Sequence, residues 1–251
     1  MSYLCSKLIT INLLHNIMLK HISLLLILAA FISSCSKSTD SVGPGSSSYS
    51  APKAGSSFTI DRYATDTTNA MPIASTRDTS VETFLQSGIS YAGKTNVSQI
   101  VAVSSSSTDT SYINYETNGD ISSYGSDGHG SMIWGTIPIG SKSTFSYTQT
   151  DTTKVILGVS TRLKVSVEAS YVDMETMIVK GQSISVIKLK QSFIIATTAG
   201  GVTKSKSADV YVYFAPSLGY FVKNDKPVQD GIFSTGKSEG QVETVFDYNL
   251  K

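Results

Sequence analysis

From Phe58 onward the apolar positions alternate with polar ones, a period of two rather than the 3.6 of a helix. That alternation, bounded by Gly, Asn and Asp, predicts β-strands. Arg162 to Tyr171 is the clearest single run. Leu163, Val165, Val167, Ala169 and Tyr171 point one way, and Arg162, Lys164, Ser166, Glu168 and Ser170 point the other. The phase changes at Tyr171-Val172, which predicts a bulge. Ser183 to Thr198 and Val202 to Phe214 form the clearest pair, a hairpin about Gly200-Gly201. Counting outward from a two-residue turn sets Phe193 opposite Ala208, Gln191 opposite Val210, Leu189 opposite Val212 and Ile187 opposite Phe214. Lys190 with Tyr211, Lys188 with Tyr213 and Ser192 with Asp209 then share the other face. A slip of one residue would mix the two sets, so pattern and turn support one register.

Further strands are predicted at Phe58 to Tyr63, Val81 to Ile89, Val97 to Val103, Thr110 to Thr117 and Asp120 to Tyr124. The last two flank Asn118-Gly119, a hairpin signal because both residues tolerate positive φ. A two-residue turn there pairs Ile113 with Tyr124 and Glu116 with Ile121. Met132 to Ile139 follows, then Lys142 to Thr150 and Lys154 to Ser160, with Asp151-Thr152-Thr153 as their predicted hairpin turn. Pro216 and Gly219 separate Phe214 from a strand beginning at Tyr220, and Gln241 to Tyr248 closes the chain. The expected fold class is all-β, mainly antiparallel. It is a single curved sheet, a half-barrel or open barrel of about ten to twelve strands, without helices.

The first fifth of the chain reads differently. Leu24 to Phe31 is an uninterrupted apolar run, preceded by Lys20 and followed by Ile32-Ser33-Ser34-Cys35. Such a layout is that of a secretory signal, and the run is short of the roughly 20 apolar residues that span a bilayer. Residues 1 to 17 fit a signal poorly, so Met18 is an alternative start to Met1. A competing reading takes Leu13 to Phe31 as one uncleaved membrane helix, interrupted by His15, Asn16, Lys20 and His21. The ending Ile-Ser-Ser-Cys resembles the bacterial lipoprotein signal, in which the cysteine becomes the acylated first residue of the mature chain. That resemblance implies lipidation of Cys35 by palmitate-type chains, with the membrane as a partner, in the cell envelope and at its outer membrane, facing periplasm or surface. A bland alternative for Cys35 is a stray thiol. Cys5 is the only other cysteine and lies in the leader, so no internal disulfide is available to a chain starting at Cys35.

Ser36 to Gly55 is dominated by Ser, Gly and Pro, a flexible and disordered tether with a random-coil span of roughly 25 Å. The domain reading is therefore 1–34 signal peptide, 35–55 lipidated cysteine and tether, and 56–251 β-rich globular domain.

Composition narrows the chemistry. The net charge is +1, and Lys7 and Lys20 are the only charges ahead of Cys35, so the chain from Cys35 onward carries −1. With no basic block, nucleic acid is not an expected partner. His129 is the only histidine beyond the leader, set in Asp127-Gly128-His129-Gly130. Multi-ligand His/Cys zinc sites and cysteine–histidine nucleophiles are excluded, and a serine–histidine–aspartate triad would have to use that glycine loop. No phosphate-binding loop or dinucleotide fingerprint occurs. Asp120 and Asp127 lack the EF-hand spacing and read as turn residues. Glu168, Asp173 and Glu175 are the carboxylates considered for glycoside hydrolysis. The reading is of no enzyme: no catalytic residue, no metal and no cofactor.

Aromatic side chains leave one opening for a ligand. Trp134, Tyr211 and Tyr213, with Tyr112 and Tyr115, could form a stacking platform for a sugar ring, against the plainer reading of cross-strand packing. Glu175 to Lys190 and Val210-Tyr-Val-Tyr-Phe-Ala-Pro-Ser-Leu-Gly-Tyr-Phe-Val-Lys223 resemble a group of uncharacterised secreted β-rich lipoproteins with a Tyr/Phe-Ala-Pro-x-x-Gly-x-x-Lys pattern. Members of that type are compared with periplasmic lipoprotein carriers, whose curved half-barrel surrounds acyl chains. Three readings follow: a non-enzymatic lipoprotein binding a ligand or a protein or glycan partner, a carrier of an apolar ligand, and a carboxylate-dependent glycan hydrolase. Cys35→Ser should release the protein from the membrane fraction or leave the precursor uncleaved on an immunoblot. Unchanged retention with normal processing would refute the lipid anchor.

Overall fold

The computed structural model describes residues 49–126, 132–156, 158–231 and 236–251. Cys35, Asp127 and His129 lie outside them. The strands are β1 (Ser57–Thr65), β2 (Asp78–Tyr91), β3 (Lys94–Val103), β4 (Thr108–Tyr115), β5 (Ile121–Ser126), β6 (Met132–Ile137) and β7 (Phe145–Ile156). They continue with β8 (Val159–Val179), β9 (Gln182–Ala199), β10 (Val202–Ala215), β11 (Tyr220–Lys226), β12 (Gln229–Asp230), β13 (Lys237–Ser238) and β14 (Gly240–Asn249). Among the described residues the only helical element is the 3₁₀ turn Ala74–Thr76.

Twelve strands make one antiparallel sheet in the order β6-β5-β4-β3-β2-β1-β14-β11-β10-β9-β8-β7. Two meanders, β1 to β6 and β7 to β11, are joined because the last strand enters between β1 and β11. Strands β6 and β7 remain as the two edges, so the sheet does not close into a barrel. The all-β expectation holds.

A one-layer sheet has to bury its apolar face against itself, and this one does so by curling. The Tyr115 hydroxyl on β4 donates to the Gly219 carbonyl beyond β10, at 2.9 Å. Phe58 stacks on Tyr220 with ring centroids 4.4 Å apart, and Phe84 meets both edge-on. Phe58, Phe84, Phe214 and Leu189 have no exposed surface. Burying side chains of this size stabilises by roughly 1.5–3 kcal/mol each. Packing begins upstream of the Ser56 expected from composition: Pro52 is buried, and the Tyr49 ring lies 4.6 Å from that of Phe214. Gly219 allows this approach. It has φ +62°, and a side chain there would collide with the Ser50 carbonyl.

The β9–β10 register is the one counted from the Gly200-Gly201 turn, residue for residue. The β8 bulge falls between Tyr171 and Asp173, where the phase change predicted it. Two turns differ. Tyr112 rather than Ile113 faces Tyr124, and Tyr115 faces Ile121. The Glu116 amide donates to Asp120 O, and Gly119 takes φ +83°. The loop therefore holds three residues, Thr117 to Gly119, and the register moves by one. Its cause is Asp120, whose buried carboxylate accepts from the Gly140 and Ser141 amides, 3.0 Å each, and from the Asn118 side chain. Asp151-Thr152-Thr153 is not a turn either. Those residues continue β7, opposite Lys164, Leu163 and Arg162, and the chain reverses at Gly158 with φ +79°. Threonine favours extended backbone, whereas glycine takes positive φ without strain.

Leu189 is fully buried beside Val212, whereas Lys190 on the opposite face pairs with Asp209 at 2.8 Å, both side chains about one-third exposed. Leu189→Asp should unfold the domain, at a cost above about 4 kcal/mol for a buried unpaired charge. Lys190→Asp should cost about 1 kcal/mol, as expected of a surface pair turned repulsive. Thermal melts of the two variants test this. Equal melting temperatures would mean that Leu189 is not on the buried face.

Candidate ligand-binding cleft

Alternation decides which side chains meet inside the curl. On β9 and β10 the inward set is Leu189, Gln191 and Phe193 with Ala208, Val210 and Val212. Across the sheet, β1 turns Ile60 and Arg62 inward, β2 turns Ser80 and Glu82, and β14 turns Gln241, Glu243 and Val245. These rows enclose a cavity of about 380 Å³, within the roughly 300–1,000 Å³ usual for small-molecule sites. Its two walls differ. Phe193, Ala208, Val210 and Val212 make the apolar one, and Ser104, Ser107, Asp109 and Ser111 at the β3–β4 end make the polar one.

Between the walls lies a charged floor. Arg62 Nε donates to Glu243 Oε1 at 2.5 Å, Gln241 Nε2 donates to the same oxygen at 3.3 Å, and Asn224 Nδ2 donates to Glu243 Oε2 at 3.1 Å. Glu243 is thus satisfied on both oxygens, as a buried carboxylate requires. Glu82, a partly buried residue whose carboxyl group sits deep, accepts a hydrogen bond from the Tyr220 hydroxyl. Burial is the main cause that pushes its pKa up, with the Glu243 charge adding, against the opposing Tyr220 hydrogen bond and Arg62. Tyr220 is raised as well, first by burial and then by Glu82. Lys226 also faces this floor, opposite Gln241. It makes no ion pair among the described residues. Burial lowers its pKa, partly offset by Glu239.

The sequence-predicted aromatic residues lie elsewhere and are not brought together. Trp134 sits on β6, and its Nε1 donates to the Ala92 carbonyl at 3.0 Å. It adjoins Tyr124, which meets Tyr91 edge-on, and Tyr91 stacks on Tyr112 at 3.6 Å. Tyr211 and Tyr213 are on β10, eight strands away in the sheet, on its outer face. Lys188 lies over both rings, 5.1 and 5.4 Å from their centroids, and Lys223 lies 5.1 Å from that of Tyr213. Tyr213 is buried beneath these lysines. Tyr115 is buried in the core. Of the carboxylates considered, Glu168 and Asp173 are exposed and Glu175 pairs with Lys188 at 2.7 Å.

The floor residues were missed from sequence, although a signal existed. Arg62 is in phase with Ile60, Glu82 with Phe84, and Glu243 with Val245. A charge at an apolar phase of a strand faces the core and marks a site.

No protein-family model matches the chain, and no curated protein matches it. Among solved structures it is similar to a candidate lipoprotein from Parabacteroides distasonis ATCC 8503, at TM-score 0.46 and 9% identity, covering 79% of this chain and 96% of that one. It is also similar to a candidate exported protein with a YmcC-like fold from Bacteroides fragilis NCTC 9343, at TM-score 0.40 and 9% identity, over 80% of this chain and 98% of that one.

Glu82 supplies a test of the floor's electrostatics. The folded chain holds its proton to higher pH than the unfolded chain does. Its contribution therefore favours folding at low pH and is lost as pH rises from about 4.5 through the raised value. Glu82→Gln keeps an acceptor for Tyr220 and removes the buried charge. It should raise the melting temperature at pH 8 by about 2–4 °C, as roughly 1 kcal/mol does in a domain of this size, and much less at pH 4. An increase that is the same at both pH values would show that Glu82 is not the titrating group.

Proposed function

We propose that this chain is a lipid-anchored lipoprotein of the bacterial outer membrane whose β-domain binds a ligand without chemical turnover. The anchor reading rests on the apolar run ending at Cys35. The binding reading is carried by the cavity of about 380 Å³ inside the curled sheet, open between an apolar and a polar wall.

A carrier role for an apolar or lipid ligand is the form of binding favoured by one further observation. Phe193, Ala208, Val210 and Val212 form an apolar wall beside Gln191, so an acyl chain lying there would be desolvated while a polar end reached the Arg62–Glu243 floor. Glycan hydrolysis gains less support. Such chemistry needs a proton-donating carboxyl and a second carboxylate free to act as base or nucleophile, whereas the oxygens of Glu243 already accept from Arg62, Gln241 and Asn224.

Full-length protein reconstituted in vesicles and irradiated with a diazirine-bearing fatty acid should be labelled on peptides of β9 and β10. Ala102 lines the cavity and is only partly buried. Ala102→Trp should cut labelling at least tenfold with an unchanged circular dichroism spectrum. Label spread evenly over the surface, or unaffected by Ala102→Trp, would refute binding in the cleft.

A further inference from the structure

Strands β7 to β10 run on past the cavity as a four-stranded ribbon. Beyond Tyr211, strand β10 has no β11 partner, yet it continues with β9 back to Val202. The seven residues from Ala208 to the Gly201 turn reach about 23 Å. This ribbon, taken as residues 150–165 and 194–207, segregates charge. It holds Lys154, Arg162, Lys164, Lys204 and Lys206 against a single carboxylate, Asp151. The chain has 20 cations and 19 anions. Two cations precede Cys35 and five lie in the ribbon, which leaves 13 cations against 18 anions elsewhere.

Asp151 is taken by Arg162, whose Nε donates to Oδ1 at 2.6 Å, and Lys206 donates to the Gly231 carbonyl. Lys154, Lys164 and Lys204 are exposed and form no ion pair among the described residues. The tip is also apolar. Val155, Val159 and Val202 are 72%, 45% and 62% exposed, at positions a solvated strand tip would ordinarily give to polar side chains. Between the two hairpin turns lies a shallow depression lined by Arg162, Ser160, Thr153, Thr198 and glycines. Exposed lysines around apolar side chains and hydroxyls suit the interface of an anionic bilayer, which takes up both charge and apolar surface.

We propose that the tip of this ribbon docks on an anionic phospholipid surface. That the surface is the anchoring bilayer rests on the reading of Cys35. The geometry is compatible: the tip lies about 40 Å along β10 from Phe214, where Tyr49 packs, and residues 36–48 span at most about 45 Å. The domain then lies over the membrane, tied at one end and seated at the other.

The test uses the full chain, in which Cys35 is the only native cysteine outside the leader. Ser160→Cys at the ribbon tip and Ser183→Cys at the far end of β9 are each labelled with an environment-sensitive fluorophore. The protein is then reconstituted in phosphatidylglycerol vesicles or phosphatidylcholine vesicles carrying nitroxide lipids. Expected is a blue shift with quenching at position 160 only, in phosphatidylglycerol only, and lost at 1 M salt, where the screening length falls to about 3 Å. Lys154→Gln, Lys164→Gln and Lys204→Gln together should lower the docked-to-free ratio on the order of a hundredfold, near fivefold per lysine. Their melting temperature should match that of the parent. A response equal in both lipids, equal at both positions, or absent overturns docking. So does one that vanishes when the protein is diluted within the membrane, which would make a second copy the occupant. A chain not retained by phosphatidylcholine vesicles overturns the anchor alone, provided that phosphatidylglycerol still gives the response at position 160.

Discussion

A single antiparallel sheet without a helical layer can bury its apolar face only against itself, and the stack of Phe58, Phe84 and Tyr220 is where this chain does so. The contact brings β1, β2 and β11 around one point, and the Tyr115 hydroxyl bonded to Gly219 draws the far meander onto the same point. The two halves of the sheet depend on each other through this closure. Neither meander could cover Leu189, Phe214 or Ile100 alone, and exposing that much apolar surface would cost more than a domain's usual net stability.

The cavity follows from where that packing stops. Toward one end of the strands the inward positions are aromatic and branched, and the curl is filled. Further along β1, β2, β11 and β14 the same inward phase carries Arg62, Glu82, Asn224, Lys226 and Glu243, which cannot be packed dry. Hydrogen bonds from Arg62 and Asn224 to Glu243, and from Tyr220 to Glu82, make burial of these carboxyl groups tolerable. The Glu82 proton belongs to this balance. A carboxyl so deep and so near Glu243 is held neutral more easily than charged.

The Tyr49 segment and the ribbon lie at opposite ends of the longest strands. Tyr49 enters the core beside Phe214, its hydroxyl buried without a hydrogen-bond partner among the described residues and its pKa pushed well up by burial and the nearby Asp120. At the other end the ribbon runs past the core, and its apolar side chains are left largely exposed. Its alternation survives, but among the described residues no opposing layer buries Leu163 or Val202. Strand pairing rather than packing holds that part together.

Local chemistry was enough to determine class, strand content and several registers. The Gly200-Gly201 turn and the Leu189 phase gave the β9–β10 pairing, and the phase change at Tyr171-Val172 gave the bulge, because period two and turn length leave few alternatives. Long-range contact overrode local preference elsewhere. Asp120 reaches the Gly140 and Ser141 amides and lengthens the Asn118-Gly119 turn, which no propensity of Asn-Gly contains. The cleft was visible only as charges in an apolar phase, Arg62 with Ile60 and Glu82 with Phe84. Alternation says which face a side chain takes and not which strand lies across from it. That β14 enters between β1 and β11, seating Glu243 beside both Arg62 and Asn224, was decided by the tertiary structure, since pairing of strands distant in sequence is selected by burial of the whole sheet.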